Sequence, residues 1–286
     1  MTSWIQPEVD RPRVLVAGGG VAALEACLLL RAYAAEDDVA IHLLTPSDVF
    51  SYRPLSVLES FGGARTWSMP LDQFAADQDV ELVPGGARTR PAIVTTSGVH
   101  TSYDLLLVAI GARPRPQLPG AITFGGAADA PAVRRLLDDA AGRLRPRIVF
   151  AVGPAMSWPL PMYELALLTS GELRARGVRC EITLVTPEAV PLELFGARAS
   201  AFVAELLADY DVTFVANAEP LAVTEGELRL VDGRSVGAEH VVALPRAGAR
   251  DPPHGRRRPG PRGRRRGPRA RPAHPVVSDG EPRSSG

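Results

Sequence analysis

Short apolar runs along the chain alternate with stretches of helical periodicity. The β-branched run Arg13–Ala17 (RVLVA) is typical of a buried parallel strand, and the Ala- and Leu-rich stretch Val21–Ala35 after it predicts a helix. Val39–Leu44 predicts a second strand. Strand, glycine turn, helix and strand together take about 30 residues, which is the size of one βαβ crossover. The chain is therefore predicted to begin with a βαβ unit.

The same alternation continues and then starts again in the second half. Asp104–Ile110 is predicted to be a fully buried strand, and Asp232-Gly233 between alternating residues predicts a type I′ hairpin turn. Further strands are predicted at Asp79–Val83, Ala92–Thr96, Arg147–Val152, Glu181–Val185, Val212–Val215 and His240–Leu244. Further helices are predicted at Asp129–Gly142, Met162–Arg176 and Arg198–Tyr210.

Two successive α/β series of similar layout indicate an α/β protein with two Rossmann-like domains, each built on a parallel central sheet. We expect an FAD-binding domain over residues 1–122 and a second, NAD(P)-type domain over residues 123–247. Residues 248–286 form an Arg-, Pro- and Gly-rich tail without apolar periodicity, and we expect this tail to be disordered.

Charge and composition exclude several kinds of chemistry. The stretch from Arg250 to Gly286 contains 11 arginines and three acidic residues. The net charge of zero therefore divides into +8 for this stretch and −8 for residues 1–249. All 32 basic residues are arginine, which excludes a P-loop lysine, a Schiff-base lysine and a Tyr-x-x-x-Lys couple. Two cysteines, Cys27 and Cys180, are too few for a disulfide framework.

Location is predicted from two further features. The chain has no apolar run of about 18 residues, so no transmembrane helix is expected, although peripheral membrane contact stays open. The first residues lack the apolar region of a signal peptide, which predicts a cytoplasmic protein.

The glycine cluster after the first strand has the pattern of a dinucleotide site. Gly18-Gly19-Gly20-Val21-Ala22-Ala23 matches G-x-G-x-x-(G/A), in which Gly18 permits a tight turn, Gly20 lets a pyrophosphate approach and Ala23 packs on the sheet. The helix N-terminus would receive the phosphates. The alternative is a plain strand–helix turn with spare glycines. Thr45 stands where an acid normally binds the ribose, and Asp48 lies nearby.

Three further segments carry a family resemblance. They are LLTPSDVFSYRPL at residues 43–55, YDLLLVAIGARP at 103–114 and PMYELAL at 161–167. With the glycine turn, they resemble the FAD-dependent pyridine nucleotide-disulfide oxidoreductase superfamily. The similarity is to the branch that holds sulfide:quinone oxidoreductases, flavocytochrome c sulfide dehydrogenases and type II NADH dehydrogenases. The resemblance covers residues 13 to about 246.

This resemblance implies where FAD would lie. Adenosine would contact Gly18–Ala23 and Thr45, the backbone near Gly86-Ala87 would meet the adenine, and isoalloxazine would lie near Arg53 and Pro54. Ala109 and Gly111 of the segment YDLLLVAIGARP complete the expected cofactor positions.

Side chains beside the expected flavin have two interpretations each. The resemblance implies that Glu164 is a proton relay near the flavin and its acceptor, and the alternative is a helix-surface glutamate. Phe50 and Tyr52 match an aromatic stretch that runs beside the flavin, and the alternative is ordinary core packing.

Departures from the family pattern argue against two reactions, sulfide oxidation through a cysteine pair and electron transfer from bound NADH. The redox cysteine that precedes the family's Tyr-Glu pair aligns with Trp158, so sulfide oxidation through a cysteine pair is disfavoured. The second glycine turn, Gly153–Trp158, has one glycine, and prolines at 154, 159 and 161 obstruct an NADH pyrophosphate. A quinone or another acceptor that meets the flavin directly is therefore at least as plausible.

The C-terminal tail is the largest departure. Family members continue past a strand like HVVALP into an apolar strand ending in Ala-Gly-Asp, whereas this chain changes to Arg, Pro and Gly. We hypothesise a frameshift near Ala247, which would leave a truncated relative with impaired activity.

The sequence as a whole favours an FAD-dependent oxidoreductase that moves electrons from NAD(P)H or a small reductant to a quinone-like acceptor. The alternatives are an inactive fragment and a degenerate nucleotide-fold binding module whose basic tail holds nucleic acid. The tail offers no aromatic residue for base stacking, so no specific nucleic acid is expected. The sequence does not indicate the oligomeric state.

Overall fold

Two parallel sheets with flanking helices form the described part of the chain. The computed structural model describes residues 11–35, 38–63, 67–85, 93–94, 100–154 and 158–248. The strands are β1 (Arg13–Ala17), β2 (Ala40–Thr45), β3 (Val49–Ser51), β4 (Ser68–Pro70), β5 (Val80–Pro84), β6 (Ile93–Val94), β7 (His100–Thr101), β8 (Leu105–Val108), β9 (Arg113–Arg115), β10 (Ile122–Thr123), β11 (Arg147–Ala151), β12 (Glu181–Val185), β13 (Val212–Val215), β14 (Pro220–Thr224), β15 (Glu227–Leu230), β16 (Ser235–Gly237), β17 (His240–Ala243) and β18 (Arg246–Gly248).

Helices lie between the strands of both sheets. The α-helices are α1 (Val21–Tyr33), α2 (Leu71–Asp77), α3 (Ala130–Ala141), α4 (Leu160–Ala175) and α5 (Ala197–Asp209). Short 3₁₀ helices occur at Arg53–Phe61, Ala127–Asp129 and Glu193–Phe195. None of the described helices is long and apolar enough to cross a membrane.

The first sheet has the strand order β5-β2-β1-β8 with all strands parallel. Val16 of β1 pairs with Leu43 of β2 on one side and with Leu107 of β8 on the other. The branched residues of β1 are buried because the strand is central, and Leu15 and Val16 are 0% exposed. The predicted strand–glycine turn–helix–strand unit is confirmed.

The second sheet has the order β10-β17-β11-β12-β13, again with all strands parallel. Its central strand β11 buries Ile148 and Phe150 completely. The order β13-β12-β11-β17 repeats the order β5-β2-β1-β8 of the first sheet, with the first strand of each series between the second and the last. The prediction of an α/β protein with two Rossmann-like parallel sheets is confirmed.

Antiparallel pairs complete the architecture. Strand β9 pairs with β18, so the segment after the first sheet meets the segment that follows β17. Gly248 is the last residue of β18, one residue inside the predicted tail, and the remaining tail lies outside the described residues. Of the strand predicted at Ala92–Thr96, the described part is Ile93–Val94.

The hairpin between β15 and β16 has a different turn from the predicted one. A type I′ turn requires positive φ at both central residues. Gly233 has φ 88°, but Asp232 is not among the residues with positive φ. The amide of Gly233 donates to the carbonyl of Leu230, and Leu230 donates to Arg234. The loop is therefore a three-residue connection with glycine in the left-handed position.

Strand β8 is less buried than its apolar sequence predicts. Leu105 is 55% exposed and Val108 is 61% exposed. The reason is position, because β8 pairs with β1 on one side and is the edge strand of the sheet as described. The apolar run identified a parallel strand correctly, but the burial prediction for it was wrong.

The contrast between β1 and β8 gives a matched stability test. Leu15→Ala removes a fully buried side chain and should lower the free energy of unfolding by about 2–5 kcal/mol. Leu105→Ala truncates a half-exposed side chain and should cost less than about 1 kcal/mol. Urea denaturation of both variants measures the difference. Equal losses would show that the exposed face of β8 is covered in solution.

Candidate functional site

The turn between β1 and α1 holds its glycines for two different reasons. Gly18 has φ +140°, and a Cβ there would collide with the carbonyl oxygen of Ala109. A Cβ on Gly19 would collide with the hydroxyl of Thr45. On Gly20 a Cβ would meet no atom within 4 Å, and the φ of −98° suits any residue. Gly18 and Gly19 are therefore required by packing, whereas Gly20 faces open space.

The N-terminus of α1 presents free backbone donors next to that space. The first intrahelical bonds run from Ala23 and Leu24 to the carbonyl of Gly20, at 3.0 and 3.1 Å. The amides of Val21 and Ala22 precede these bonds, and both residues are exposed. With the positive end of the helix dipole, such amides bind anions such as phosphate. Ala23 itself is 0% exposed, as the predicted close packing of helix on sheet requires.

Thr45, at the end of β2, faces the glycine turn from inside. Its side chain lies against Gly19, and the residue is 2% exposed. The Oγ1 atom accepts the amide hydrogen of Ser47 at 3.2 Å. Asp48 is exposed on the same loop. Thr45 thus shapes the floor of the turn with its hydroxyl already in a local hydrogen bond.

The end of β8 lies against the same turn. The amide of Ala109 donates to the carbonyl of Ala17 at 2.8 Å, and its own carbonyl closes on Gly18. Gly111 follows in the left-handed conformation, with φ +64°. The structure therefore brings Ala109 and the predicted glycine turn together. Gly86 and Ala87, predicted beside an adenine, lie outside the described residues.

A largely apolar cavity of about 220 Å³ is lined in part by the two residues predicted beside an isoalloxazine. Arg53 and Pro54 begin the 3₁₀ helix that forms one wall. The remaining lining residues are Ser56, Val57, Phe124, Gly125, Gly126, Trp158, Pro161, Leu244 and Pro245.

Most of this lining was not predicted from the sequence. Phe124 and Gly125 directly follow β10, and Leu244 and Pro245 directly follow β17. Ligands of open α/β sheets bind at the carboxyl ends of the strands. Gly125-Gly126 after a short strand was the signal that could have indicated these residues.

Of the two aromatic residues predicted beside a flavin, one packs in the core. Phe50 is 8% exposed and belongs to the apolar core of the first sheet. Tyr52 is 41% exposed. For Phe50 the packing interpretation explains the burial.

Glu164 lies on α4, one helical turn after the cavity residue Pro161. It is half-buried, and burial raises the pKa of its carboxyl above the usual value for glutamate. Glu164 is not among the residues that line the cavity. Its position supports neither a direct contact in the cavity nor a fully solvated surface residue.

Both cysteines have the character of structural thiols. Cys27 is 0% exposed in the core of the first sheet, and burial raises its pKa to about 11. Cys180 packs against the core of the second sheet, and burial raises its pKa too. Since the thiolate is the reactive form, neither cysteine is placed for nucleophilic or disulfide chemistry.

Comparison with known proteins gives one curated relative and a common fold. No protein-family model matches the chain. A sulfide-quinone reductase of Aquifex aeolicus (strain VF5) is 25% identical over 226 residues, which cover 73% of this chain and 52% of that protein. The chain thus spans about half the length of the curated relative it matches. The chain is thus similar in sequence to a member of the FAD-dependent pyridine nucleotide-disulfide oxidoreductase superfamily.

Solved structures of the superfamily share the fold. The sulfide:quinone oxidoreductase of Aquifex aeolicus superposes with a TM-score of 0.70 at 23% identity, covering 82% of this chain and 59% of that one. NDH2 of Plasmodium falciparum in complex with RYL-552 gives 0.62 at 12% identity, covering 82% and 54%. These two superpositions show that the chain shares the fold of both proteins.

The raised pKa of Glu164 predicts a pH-dependent stability difference. The unfolded chain releases this proton near pH ~4.3, whereas the folded chain holds it to higher pH. Stability from the neutral carboxyl is therefore complete below that pH and decreases as pH rises through the folded pKa. Glu164→Gln should melt higher than the parent at pH 7, and the gap should close toward pH 4. A gap that stays constant between these pH values would contradict the assignment.

Proposed function

We propose that this protein is an FAD-dependent oxidoreductase that moves electrons from NAD(P)H or a small reductant to a quinone-like acceptor. Residues 1–122 would form the FAD-binding domain and residues 123–247 the second Rossmann-like domain. The observation that carries the proposal is the glycine turn after β1, where Gly20 faces open space beside the free amides of Val21 and Ala22. This arrangement suits a pyrophosphate.

The residues present fit the pyrophosphate and the isoalloxazine of an extended FAD. The pyrophosphate would be held at Gly20–Ala22, where a side chain on Gly20 would take up the space. The ring system would lie in the cavity, beside the wall that Arg53 and Pro54 form and among apolar side chains. Bound FAD would accept two electrons from the donor and pass them to the acceptor. Glu164 would hold or release a proton one helical turn from the cavity, which its raised pKa favours.

The name of the curated relative supports a specific acceptor, whereas the donor is proposed only as NAD(P)H or a small reductant. The curated relative is named a sulfide-quinone reductase, which supports a quinone as acceptor. Sulfide as donor would need chemistry other than a cysteine pair here, because Cys27 is buried in the core of the first sheet and the half-buried Cys180 packs against the core of the second. A donor that reaches the flavin without covalent attachment to the protein agrees better with these two side chains.

The two kinds of glycine in the turn separate cofactor binding from folding. The Cβ of Gly20→Val would meet no atom within 4 Å and its methyl groups would take up the space proposed for the pyrophosphate, so this variant should abolish FAD binding and leave the melting temperature nearly unchanged. Gly18→Ala forces a Cβ against the Ala109 carbonyl at positive φ and should destabilise the fold. Flavin released by denaturation and thermal unfolding measure the two effects.

Equal flavin content in the parent and in Gly20→Val would refute the assignment of this turn. The stability of Gly18→Ala serves as the control that the turn is built as described, since that variant alone should unfold at lower temperature.

A further inference from the structure

The strand–helix turns of the two sheets differ in length. Three residues, Gly18–Gly20, separate β1 from α1, whereas eight residues, 152–159, separate β11 from α4. A pyrophosphate site needs a tight turn that brings the helix N-terminus directly to the strand end. The described parts of the second connection, residues 152–154 and 158–159, therefore do not form the three-residue turn of the first sheet.

Backbone donors are also missing at the start of α4. In α1 the N-cap and the second helical residue are Gly20 and Ala22, and both carry an N–H group. The corresponding residues of α4 are Pro159 and Pro161, which have no N–H. The amide of Met162 is bonded to the carbonyl of Pro159 at 2.9 Å, so Leu160 is the one residue among the N-cap and the first two helical residues that carries an N–H group. One amide is a poor substitute for the phosphate-binding set of α1.

Apolar side chains cover this end of the helix instead. Trp158 and Pro161 form part of the cavity wall. The Trp158 ring meets Phe195 edge to face, with 5.4 Å between ring centroids. Trp158 is 45% exposed, so this apolar wall is reachable from solvent. Phosphate groups gain nothing from such a surface, whereas the apolar ring of a small reactant does.

A repeated threonine turn shows where a second ribose would bind. Ala17 pairs with Leu44 in the first sheet and Ala151 pairs with Val185 in the second, so Thr45 and Thr186 occupy equivalent places. The threonine Oγ1 accepts an amide hydrogen from two residues on at 3.2 Å in both, from Ser47 and from Glu188. Thr186 therefore holds the position at which an acid normally binds the ribose, and Glu188, which corresponds to Ser47, is the next acid along the chain.

Glu188 already has partners within the chain. The hydroxyl of Tyr163, a residue 1% exposed, donates to Oε2 at 2.6 Å, and Thr186 donates to the same atom at 2.9 Å. The amide of Glu193 donates to Oε1 at 3.2 Å. A carboxylate with three donors on two oxygens, one of them a buried phenol, is a structural group rather than a free ribose acceptor.

Gly153, the one glycine of the second turn, serves packing within the chain as well. A Cβ on this residue would collide with the side-chain amide of Gln117. Gly153 therefore makes room for Gln117, as Gly18 makes room for Ala109. The glycine does not indicate a phosphate site.

We infer that the second sheet binds no dinucleotide and that its α4 end is an apolar wall for a small reactant without phosphate groups. This inference rests on the proposed function, because it names the class of reactant that would meet the flavin. NAD(P)H is then excluded as a donor that binds the second sheet. Glu188 is assigned to holding Tyr163 and the loop around Glu193.

Nucleotide titration tests this inference without requiring flavin turnover. NADH and NADPH, each to about 1 mM so that dissociation constants up to the millimolar range are detected, are titrated by calorimetry into the parent and into Gly20→Val. We expect no saturable binding, or binding by the parent that Gly20→Val abolishes because the nucleotide had entered the first turn. Saturable binding that Gly20→Val retains would overturn the inference. Failure of the proposed function is a separate result, namely absence of FAD binding by the parent.

Thermal stability tests the role of Glu188 independently. Glu188→Ala leaves the buried Tyr163 hydroxyl without its acceptor and should lower the melting temperature by about 3–8 °C. Glu225→Ala, at an exposed turn residue, is the matched control and should change it by less than about 1 °C. A ribose-binding carboxylate would behave differently, since its removal would leave stability unchanged and weaken NADH binding. That outcome would contradict the structural role.

Discussion

The site depends on a close approach of backbone to backbone at the end of the first strand. Ala109 and Thr45 close on the turn from two neighbouring strands, and Gly18 and Gly19 leave no room there for a side chain. This packing fixes the path of the three residues that lead from β1 into α1. The open side of Gly20 and the free amides of α1 are consequences of that constraint.

The two sheets share one strand order but use their strand–helix turns differently. In the first sheet the turn is short and rich in donors, as a pyrophosphate requires. In the second sheet the turn is longer, prolines remove donors, and the acid Glu188 is bonded to Tyr163. One fold can thus carry a donor-rich turn in one copy and an apolar wall in the other, because the sheet itself does not determine the chemistry at its edge.

The cavity is lined by residues that belong to both halves of the described chain. Arg53 and Pro54 come from the segment after the first βαβ unit, and Trp158 and Pro161 come from the start of α4. Phe124 and Leu244 add the carboxyl ends of two strands of the second sheet. A ligand in this cavity would contact elements of both halves, which suits a ring that exchanges electrons with a second reactant.

Local pattern predicted most of the elements, and long-range packing explains the differences. Glu181–Val185 and Val212–Val215 were predicted with their bounds because short apolar runs between turns leave little freedom. The burial of β8 could not be predicted, since an apolar run does not reveal whether a strand is central or at an edge.

For the site, the glycine pattern located the turn and assigned different roles to Gly18 and Gly20. Packing adds the physical reason, because a Cβ on Gly18 would collide with the carbonyl of Ala109 whereas a Cβ on Gly20 would meet no atom within 4 Å. The pairing of Tyr163 with Glu188 joins residues 25 positions apart and had no local signal. The apolar cavity depends likewise on segments that are distant in sequence.

The most direct test of the central claim is to compare three flavins as ligands of the purified protein. Quenching of flavin fluorescence is measured on titration with FAD, FMN and riboflavin under identical conditions. We expect saturable binding of FAD and much weaker binding of FMN and riboflavin, because only FAD carries the pyrophosphate that the amides after Gly20 would hold. Binding of FMN or riboflavin as tight as that of FAD, or no binding of FAD, would contradict it.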